Sequence, residues 1–324
     1  MSIIPIIDLS DSRGDAAVGE AIGRTCRETG FFLITGHGAD QGVVEAGWRA
    51  TRAFFDRPVE EKLTAVMPYP GYPYGYSPVK GETLAASLGE VKPADLKETF
   101  SFGPSAFQRL DHKPADDAEA FVFSANPWPI GGDDFRLAVM AYWREMSQLA
   151  GRIMRFFALA LDLPPDHFAR FIDHEASALR LLNYPDVVEE PLPGQLRAGE
   201  HSDYGSLTIL CQEDSPGGLE VKGLDGAWHS VPAVPGSFVI NIGDLMQRWT
   251  NDQWKSTLHR VVVPPKGLSR SARRQSIAFF HQPNWDAEIA CIPTCLAPGE
   301  SAKYPPVGSG EYLASKFRST VVKA

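Results

Sequence analysis

His201 and Asp203 stand two residues apart in the run Gly199 to Gly205, and His259 lies far downstream in Ser256-Thr257-Leu258-His259-Arg260-Val261. On an extended strand, residues i and i+2 point to the same face, so His201 and Asp203 can grip one ion while Ser202 turns away. His259 must then arrive from a distant strand that the fold brings alongside. Two imidazoles and one carboxylate on one face of a metal leave the opposite face open, the donor set that suits Fe(II) reacting with O2. Alone, a His-x-Asp pair reads as a surface hydrogen bond and a single His as a structural residue; the metal reading rests on the surrounding pattern.

A second constellation follows at Arg274-Gln275-Ser276-Ile277-Ala278-Phe279-Phe280. On a strand, Arg274, Ser276, Ala278 and Phe280 share a face. A guanidinium fork beside a hydroxyl makes a carboxylate receptor. A 2-oxo acid can fill two of the three open metal positions and rest its far carboxylate on Arg274 and Ser276, leaving the third for O2. In isolation Arg274 would be one of several surface arginines, with Arg270 and Arg273 nearby.

These residues need a scaffold, and its texture changes along the chain. Ile3 to Asp8 reads as a strand, residues 14–29 as a helix ending at Gly30, and Phe31 to Thr35 as a second strand. A helix is expected over about 40–55 and a short one from Val59. Residues 65–105, rich in Pro, Gly and Tyr, read as loop. A long helix from Asp133 to Leu161 carries an apolar stripe of Tyr142, Met146, Leu149, Ile153, Phe156 and Ala160. From Ala178 onward short β-rich runs alternate with turns: Leu179–Tyr184, Ser206–Gln212, Leu219–Lys222, Trp228–Val231, Ser237–Ile242, Thr257–Val263 and Gln275–His281. Gly217-Gly218 and Asp225-Gly226 are turn signals. The expectation is a mainly β fold with α, a jelly-roll barrel in residues 178–324 flanked by a helical N-terminal region in 1–177, the two forming one cooperative unit.

With 324 residues, 44% apolar content and 22% charge, the chain is long enough and apolar enough for an ordinary globular core. A net charge of −9 argues against nucleic acid or an anionic membrane as partner. The start has no basic n-region followed by an apolar run, and no stretch reaches the roughly 20 apolar residues of a membrane span. Cys26, Cys211, Cys291 and Cys295 are scattered, as in a cytoplasmic protein with reduced thiols. The expected partner is a small-molecule substrate, and the expected state a monomer or weak homo-oligomer.

In its order of motifs the chain resembles the isopenicillin N synthase-like family of Fe(II)/2-oxoglutarate-dependent oxygenases. The resemblance runs through Pro5-Ile6-Ile7-Asp8-Leu9, Glu28 to Phe32, Gly36-His37-Gly38, Phe54-Phe55, Lys97 to Phe100 and Asn126 to Pro129. It continues through His201-Ser202-Asp203, Gly243-Asp244, Trp249-Thr250-Asn251, Ser256 to Val261 and Arg274-Gln275-Ser276. The resemblance implies a double-stranded β-helix with Fe(II) on His201, Asp203 and His259. It implies 2-oxoglutarate as cosubstrate, its distal carboxylate on Arg274 and Ser276 with Tyr184 assisting. It also implies O2-dependent oxidation of a small molecule, hydroxylation being the default, with release of succinate and CO2. Two departures stand out. Leu182 replaces the Asn that many plant members carry two positions before the Tyr, so Asn183 should point to the other face. The interval from His259 to Arg274 is also longer, with the excess at Pro264–Arg273.

Substrate choice is expected from the 70–103 loop and the barrel mouth, where Tyr72, Tyr74, Tyr76, Phe100 and Phe102 can form an apolar or aromatic wall and Phe280 can approach from the Arg274 face. The alternative, favoured for any one of these aromatics taken singly, is that it packs the helical layer onto the barrel. Lys80, Lys92 and Lys97 are candidates to meet an acidic group. His37, His112, His167, His174, His229 and His281 read as structural or exposed. Three rival readings remain at this level: an Fe(II) oxidase of the same fold that uses no 2-oxo acid, a non-catalytic small-molecule binding protein, and a zinc hydrolase on the same triad. No obvious general base beside His201 supports the last.

Overall fold

The computed structural model describes residues 4–107, 113–186, 189–265, 267 and 271–320. Ile3, His112 and, within the expected 264–273 hairpin, Lys266, Leu268, Ser269 and Arg270 lie outside them. The chain opens with β1 (Ile6–Asp8), α1 (Asp15–Glu28), β2 (Phe31–Thr35), α2 (Gln41–Phe55) and α3 (Val59–Leu63). Gly30, just past α1, takes the left-handed φ of 65° expected of a helix stop. The Asp40 carboxylate caps α2 by accepting from the Gly42 and Val43 amides. Next come β3 (Gly75–Ser77), β4 (Glu98–Phe102), α4 (Asp117–Val122) and the long α5 (Asp133–Ala160).

The remainder is β-rich: β5 (Ala178–Tyr184), β6 (Ala198–His201), β7 (Leu207–Gln212), β8 (Leu219–Lys222), β9 (Trp228–Ser230) and β10 (Phe238–Ile242). After α6 (Asp244–Trp249) follow β11 (His259–Val261), β12 (Arg274–His281), β13 (Glu288–Ile289), β14 (Val307–Gly308) and α7 (Ser309–Thr320). One sheet runs β1-β2-β10-β7-β12-β5-β4-β3 and a second runs β6-β11-β8-β9. Their inner faces line a common cavity, in the double-stranded β-helix arrangement.

Strand periodicity sorts the layers. On β12, Ile277 and Phe279 face outward into the core shared with α5, where Phe279 meets Trp143 edge-on at 5.4 Å. Arg274, Ser276, Ala278 and Phe280 face inward to the cavity. α1 and α2 pack on α5 in turn, forming the expected helical flank.

Several expectations shift. The buried seam of α5 passes through Phe157 and Ala158, leaving Phe156 and Ala160 half-buried, because the true helical period drifts from the strict spacing read in the sequence. The stretch 65–105 is not all loop. β3 and β4 extend the larger sheet by pairing onto β5. The alternation of Thr99 and Ser101 with Phe100 and Phe102 is a two-faced strand pattern that the surrounding Pro and Gly obscured. A strand at His201 was expected but not the span of β6, and α4, α6, β13, β14 and α7 were not anticipated.

Candidate active site

β6 and β11 lie antiparallel with His201 directly opposite His259. The register slips between that pair and Val261↔Ala198, an extra residue in β6. Such a bulge re-aims side chains, and here both Ala198 and His201 reach the cavity. The imidazole centroids are 4.2 Å apart, and His259 Nε2 is 3.7 Å from Asp203 Oδ1. One ligand atom from each of His201, Asp203 and His259 falls within 4.8 Å of the others, close enough to share one ion.

The surroundings fix how these groups present themselves. His201 Nδ1 lies 2.7 Å from the Gly199 carbonyl and His259 Nδ1 lies 3.2 Å from the Thr257 carbonyl. A carbonyl only accepts, so each Nδ1 carries a proton, and in the neutral ring each Nε2 offers its lone pair to a metal. Asp203 Oδ2 accepts from Thr208 Oγ1 at 2.6 Å and Asn241 Nδ2 at 2.7 Å, leaving Oδ1 toward the imidazoles. Burial first, and the facing His259 second, hold the His201 imidazole well below its usual pKa. Burial alone would raise the Asp203 carboxyl; the two imidazoles and the Thr208 and Asn241 donors outweigh it, and the net shift is downward. Neutral imidazoles and an ionised carboxylate are the ligand forms a metal needs.

The loop carrying Asp203 is locked by backbone. Asp244 N donates to Asp203 O and Gly243 N to Ser206 O, seating the start of α6 on the loop. A Cβ on Gly205 would collide with the His281 carbonyl oxygen, so no other residue fits that approach.

At the other end of the cavity, Arg274 pairs across from Tyr184 in the β12–β5 ladder. Its side chain is 1% exposed, its guanidinium lies 5.1 Å from the Tyr184 ring centroid, and its Nη2 donates to Gln212 Oε1 at 2.7 Å. Among the described residues its Nε and Nη1 have no hydrogen-bond partner, and neither does the Ser276 hydroxyl. Burial pulls the Arg274 pKa down. Buried charged donors left without a hydrogen-bond acceptor are costly, and these orphaned donors fit an anionic ligand such as a carboxylate. Leu182 lies opposite Ser276, and Asn183 points away, donating to Glu98, as its strand phase required. Tyr184 lines the cavity between Arg274 and Arg197.

The cavity, about 480 Å³, connects both ends. Tyr72, Tyr74 and Phe280 line it; the Tyr74 hydroxyl is already used by the Val122 carbonyl. Tyr76, Phe100 and Phe102 do not. β4 turns Thr99 and Ser101 to the cavity and buries Phe100 and Phe102 in the helical layer, near Trp128. Tyr76 is buried with its hydroxyl on Glu98. Lys80 and Lys97 reach the cavity wall, whereas Lys92 pairs with Glu90 at 2.6 Å.

The wall is more charged than the sequence suggested. Arg180 donates to Glu82 at 3.1 Å and to Ser101 at 3.0 Å, and Lys97 Nζ sits 3.6 Å from Glu82. Burial alone would raise the Glu82 carboxyl, but Arg180 and Lys97 bring it below its usual pKa. Leu313 and Phe317 of α7 close another side. Arg180 and Asn241 had one readable signal, a polar residue inside an otherwise apolar strand. Glu82 and α7 had none.

Residues 176–283 match the model of the 2OG-Fe(II) oxygenase superfamily, and residues 4–130 match that of the non-haem dioxygenase in morphine synthesis N-terminal region. Validamycin A dioxygenase of Streptomyces hygroscopicus subsp. limoneus is 32% identical over 97% of this chain and 85% of its own length. The chain belongs to the 2OG-Fe(II) oxygenase superfamily. A homoarginine-6-hydroxylase of Oryza sativa subsp. japonica is 33% identical, covering 98% of each chain. A full-length Neurospora crassa protein, crystallised in complex with alpha-KG and thymine, superposes with a TM-score of 0.83 at 34% identity over 98% of this chain and 97% of its own. This oxygenase is therefore a non-haem iron enzyme that uses 2-oxoglutarate, Fe(II) and O2. The oxidase without an oxo acid, the non-catalytic binder and the zinc hydrolase fall away. Among the described residues no helix is long and apolar enough to cross a membrane.

Proposed function

We propose that this oxygenase hydroxylates a small polar molecule, with Fe(II) on His201, Asp203 and His259 and the distal carboxylate of 2-oxoglutarate on Arg274 and Ser276. The observation that carries the reading is the pair of guanidinium nitrogens and the hydroxyl left without partners among the described residues, at one end of a cavity whose other end holds three convergent ligand atoms. When bound, the metal and oxo acid supply the O2 chemistry, in which 2-oxoglutarate leaves as succinate and CO2 and one oxygen atom goes to the substrate.

The protein's own contribution is positional. The Gly199 and Thr257 carbonyls keep the Nε2 atoms of His201 and His259 aimed inward, and Thr208 and Asn241 keep Asp203 ionised and oriented. Arg274 offers a fork and Ser276 a hydroxyl to one carboxylate, which sets the direction in which the oxo acid lies. The Tyr184 ring lies beside the fork, its centroid 5.1 Å from the guanidinium, close enough for a cation–π contact.

The substrate reading follows from Arg180, Glu82 and Lys97, which offer donors and an acceptor on one wall while Phe280, Leu313 and Phe317 offer apolar surface. A molecule with hydrogen-bond donors and acceptors and an aliphatic C–H matches that surface better than a purely apolar one. Thymine, bound by the Neurospora relative, and homoarginine, for which the rice relative is named, both carry such groups. The test is succinate release from the Fe(II)-loaded enzyme with a metabolite panel. Polar members should stimulate turnover, and Arg180→Leu should cut kcat/KM for the best of them about 10- to 100-fold, as expected for a lost charge-assisted hydrogen bond. Stimulation confined to apolar aromatics, or indifference to Arg180→Leu, would refute the substrate reading.

A further inference from the structure

We propose that Asp95 is a positioning residue that ties the charged substrate wall to the iron ligand His201. The proposal rests on His201 being a metal ligand. Asp95 is 2% exposed and does not line the cavity. Its carboxylate nevertheless collects donors from both sides. Oδ1 accepts from the Gly199 amide at 2.9 Å. Oδ2 accepts from the Leu84 amide at 3.1 Å and from Lys97 Nζ at 2.9 Å. The carbonyl of the same Gly199 accepts from His201 Nδ1. Gly199 is thus held at its N–H by Asp95 while its C=O sets the imidazole that would face the metal.

The other arm of the network runs to the substrate wall. Lys97, itself buried, spans Asp95 and Glu82, and Glu82 receives Arg180. The backbone repeats the link, with Asp95 N donating to Glu82 O at 2.9 Å. Gly199 has no slack, since a Cβ there would lie 3.0 Å from Ala85 N and 3.1 Å from Ala85 Cβ. The segment that seats the substrate and the strand that carries His201 therefore share one buried carboxylate. Removing it would free the Gly199 amide and release Lys97 toward Glu82, loosening both ends together. Arg274, on β12, has no bond to Asp95 or Lys97 among those described.

Co(II) provides a spectroscopic probe that needs no turnover. Co(II) is titrated anaerobically into the 324-residue parent chain, Asp95→Ala, Asp95→Asn and His201→Ala, with near-UV circular dichroism recorded to confirm folding. Asp95→Ala should weaken Co(II) binding about tenfold, the low end for groups that orient a metal ligand. Asp95→Asn keeps the volume and one acceptor but loses the ion pair with Lys97, and should fall between, at about threefold. Should the alanine variant fail to fold, the asparagine variant decides alone. Parent-like Kd in the folded variants overturns the proposal, because a carboxylate that merely packs the 82–97 segment would lower stability without moving metal affinity. A parent that binds no Co(II), or a His201→Ala variant that binds it like the parent, overturns instead the assignment of His201 as a ligand.

Discussion

His281 ends β12 beside the loop that carries Asp203, with Nδ1 2.6 Å from Ser206 Oγ and Nε2 3.6 Å from Glu175. Burial brings its pKa from 6.5 down to about 3. The neutral ring is thus favoured by the fold, and its stabilisation is complete above 6.5 and lost as pH falls toward 3, at up to about 1.4 kcal/mol per pH unit. Glu175 acts in the opposite sense. Burial raises it from 4.5 to about 7, so its contribution is present below 4.5 and lost as pH rises through 7. With chelator present to remove metal effects, His281→Gln should shrink the fall in urea midpoint between about pH 7 and about pH 4.5. An unchanged fall would mean His281 is protonated in the fold. At this scale the sequence was legible wherever chemistry depends on residue type and short spacing. Arg274 with Ser276 is an i, i+2 pair within a strand, and His201 with Asp203 is one at a strand end, His201 closing β6 and Asp203 in the loop that follows. Asn241, Glu82, Arg180 and the contact of Asp95 with Gly199 were not read, because each joins partners across strands or from a distant loop, and Thr208 was not because a turn brings it back onto Asp203.

α7 closes the cavity with Leu313 and Phe317, and is pinned by Lys316 Nζ on Asp244 at 2.7 Å and by Phe317 against Phe121 at 5.7 Å. It lies beyond both segments that match family models. A chain ending at Gly308 should keep 2-oxoglutarate affinity within about threefold of the parent, since Arg274 and Ser276 are built on β12, yet lose substrate grip. The measurement is the ratio of hydroxylated product to succinate, which should drop several-fold as turnover uncouples. A truncated enzyme with parent-like coupling would assign the substrate wall to other elements. α1, α2 and α5 were legible from apolar periodicity and their flanking residues, and most barrel strands from short β-rich runs between turns. The extent of β6 was hidden because Ala198-Gly199-Glu200-His201 has no β-branched residue, and β3 and β4 because Pro and Gly surround them. α7 begins with Ser309-Gly310, a poor helical start by propensity.

Across the whole molecule, one sheet joins the two halves anticipated in the sequence. β2 pairs with β10, and β4 with β5, so strands from residues 1–177 are integral to the sheet that carries Arg274. α5 covers the outer face of the same sheet through Trp143 and Phe279. Residues 1–177 and 178–324 are therefore predicted to unfold as one cooperative unit. Urea transitions followed by far-UV circular dichroism and by tryptophan fluorescence should coincide. Two separated transitions would divide the chain into independent domains.

The most direct test of the central claim is an anaerobic titration of Fe(II) and 2-oxoglutarate into the parent, Asp203→Ala and Arg274→Met. The parent should take up one Fe(II) per chain and then the oxo acid. Asp203→Ala should lose the iron. Arg274→Met should keep the iron and bind 2-oxoglutarate about 100-fold more weakly, the loss expected when a charged hydrogen-bonding partner is removed. Full iron binding by Asp203→Ala, or parent-like 2-oxoglutarate affinity in Arg274→Met, would contradict the account.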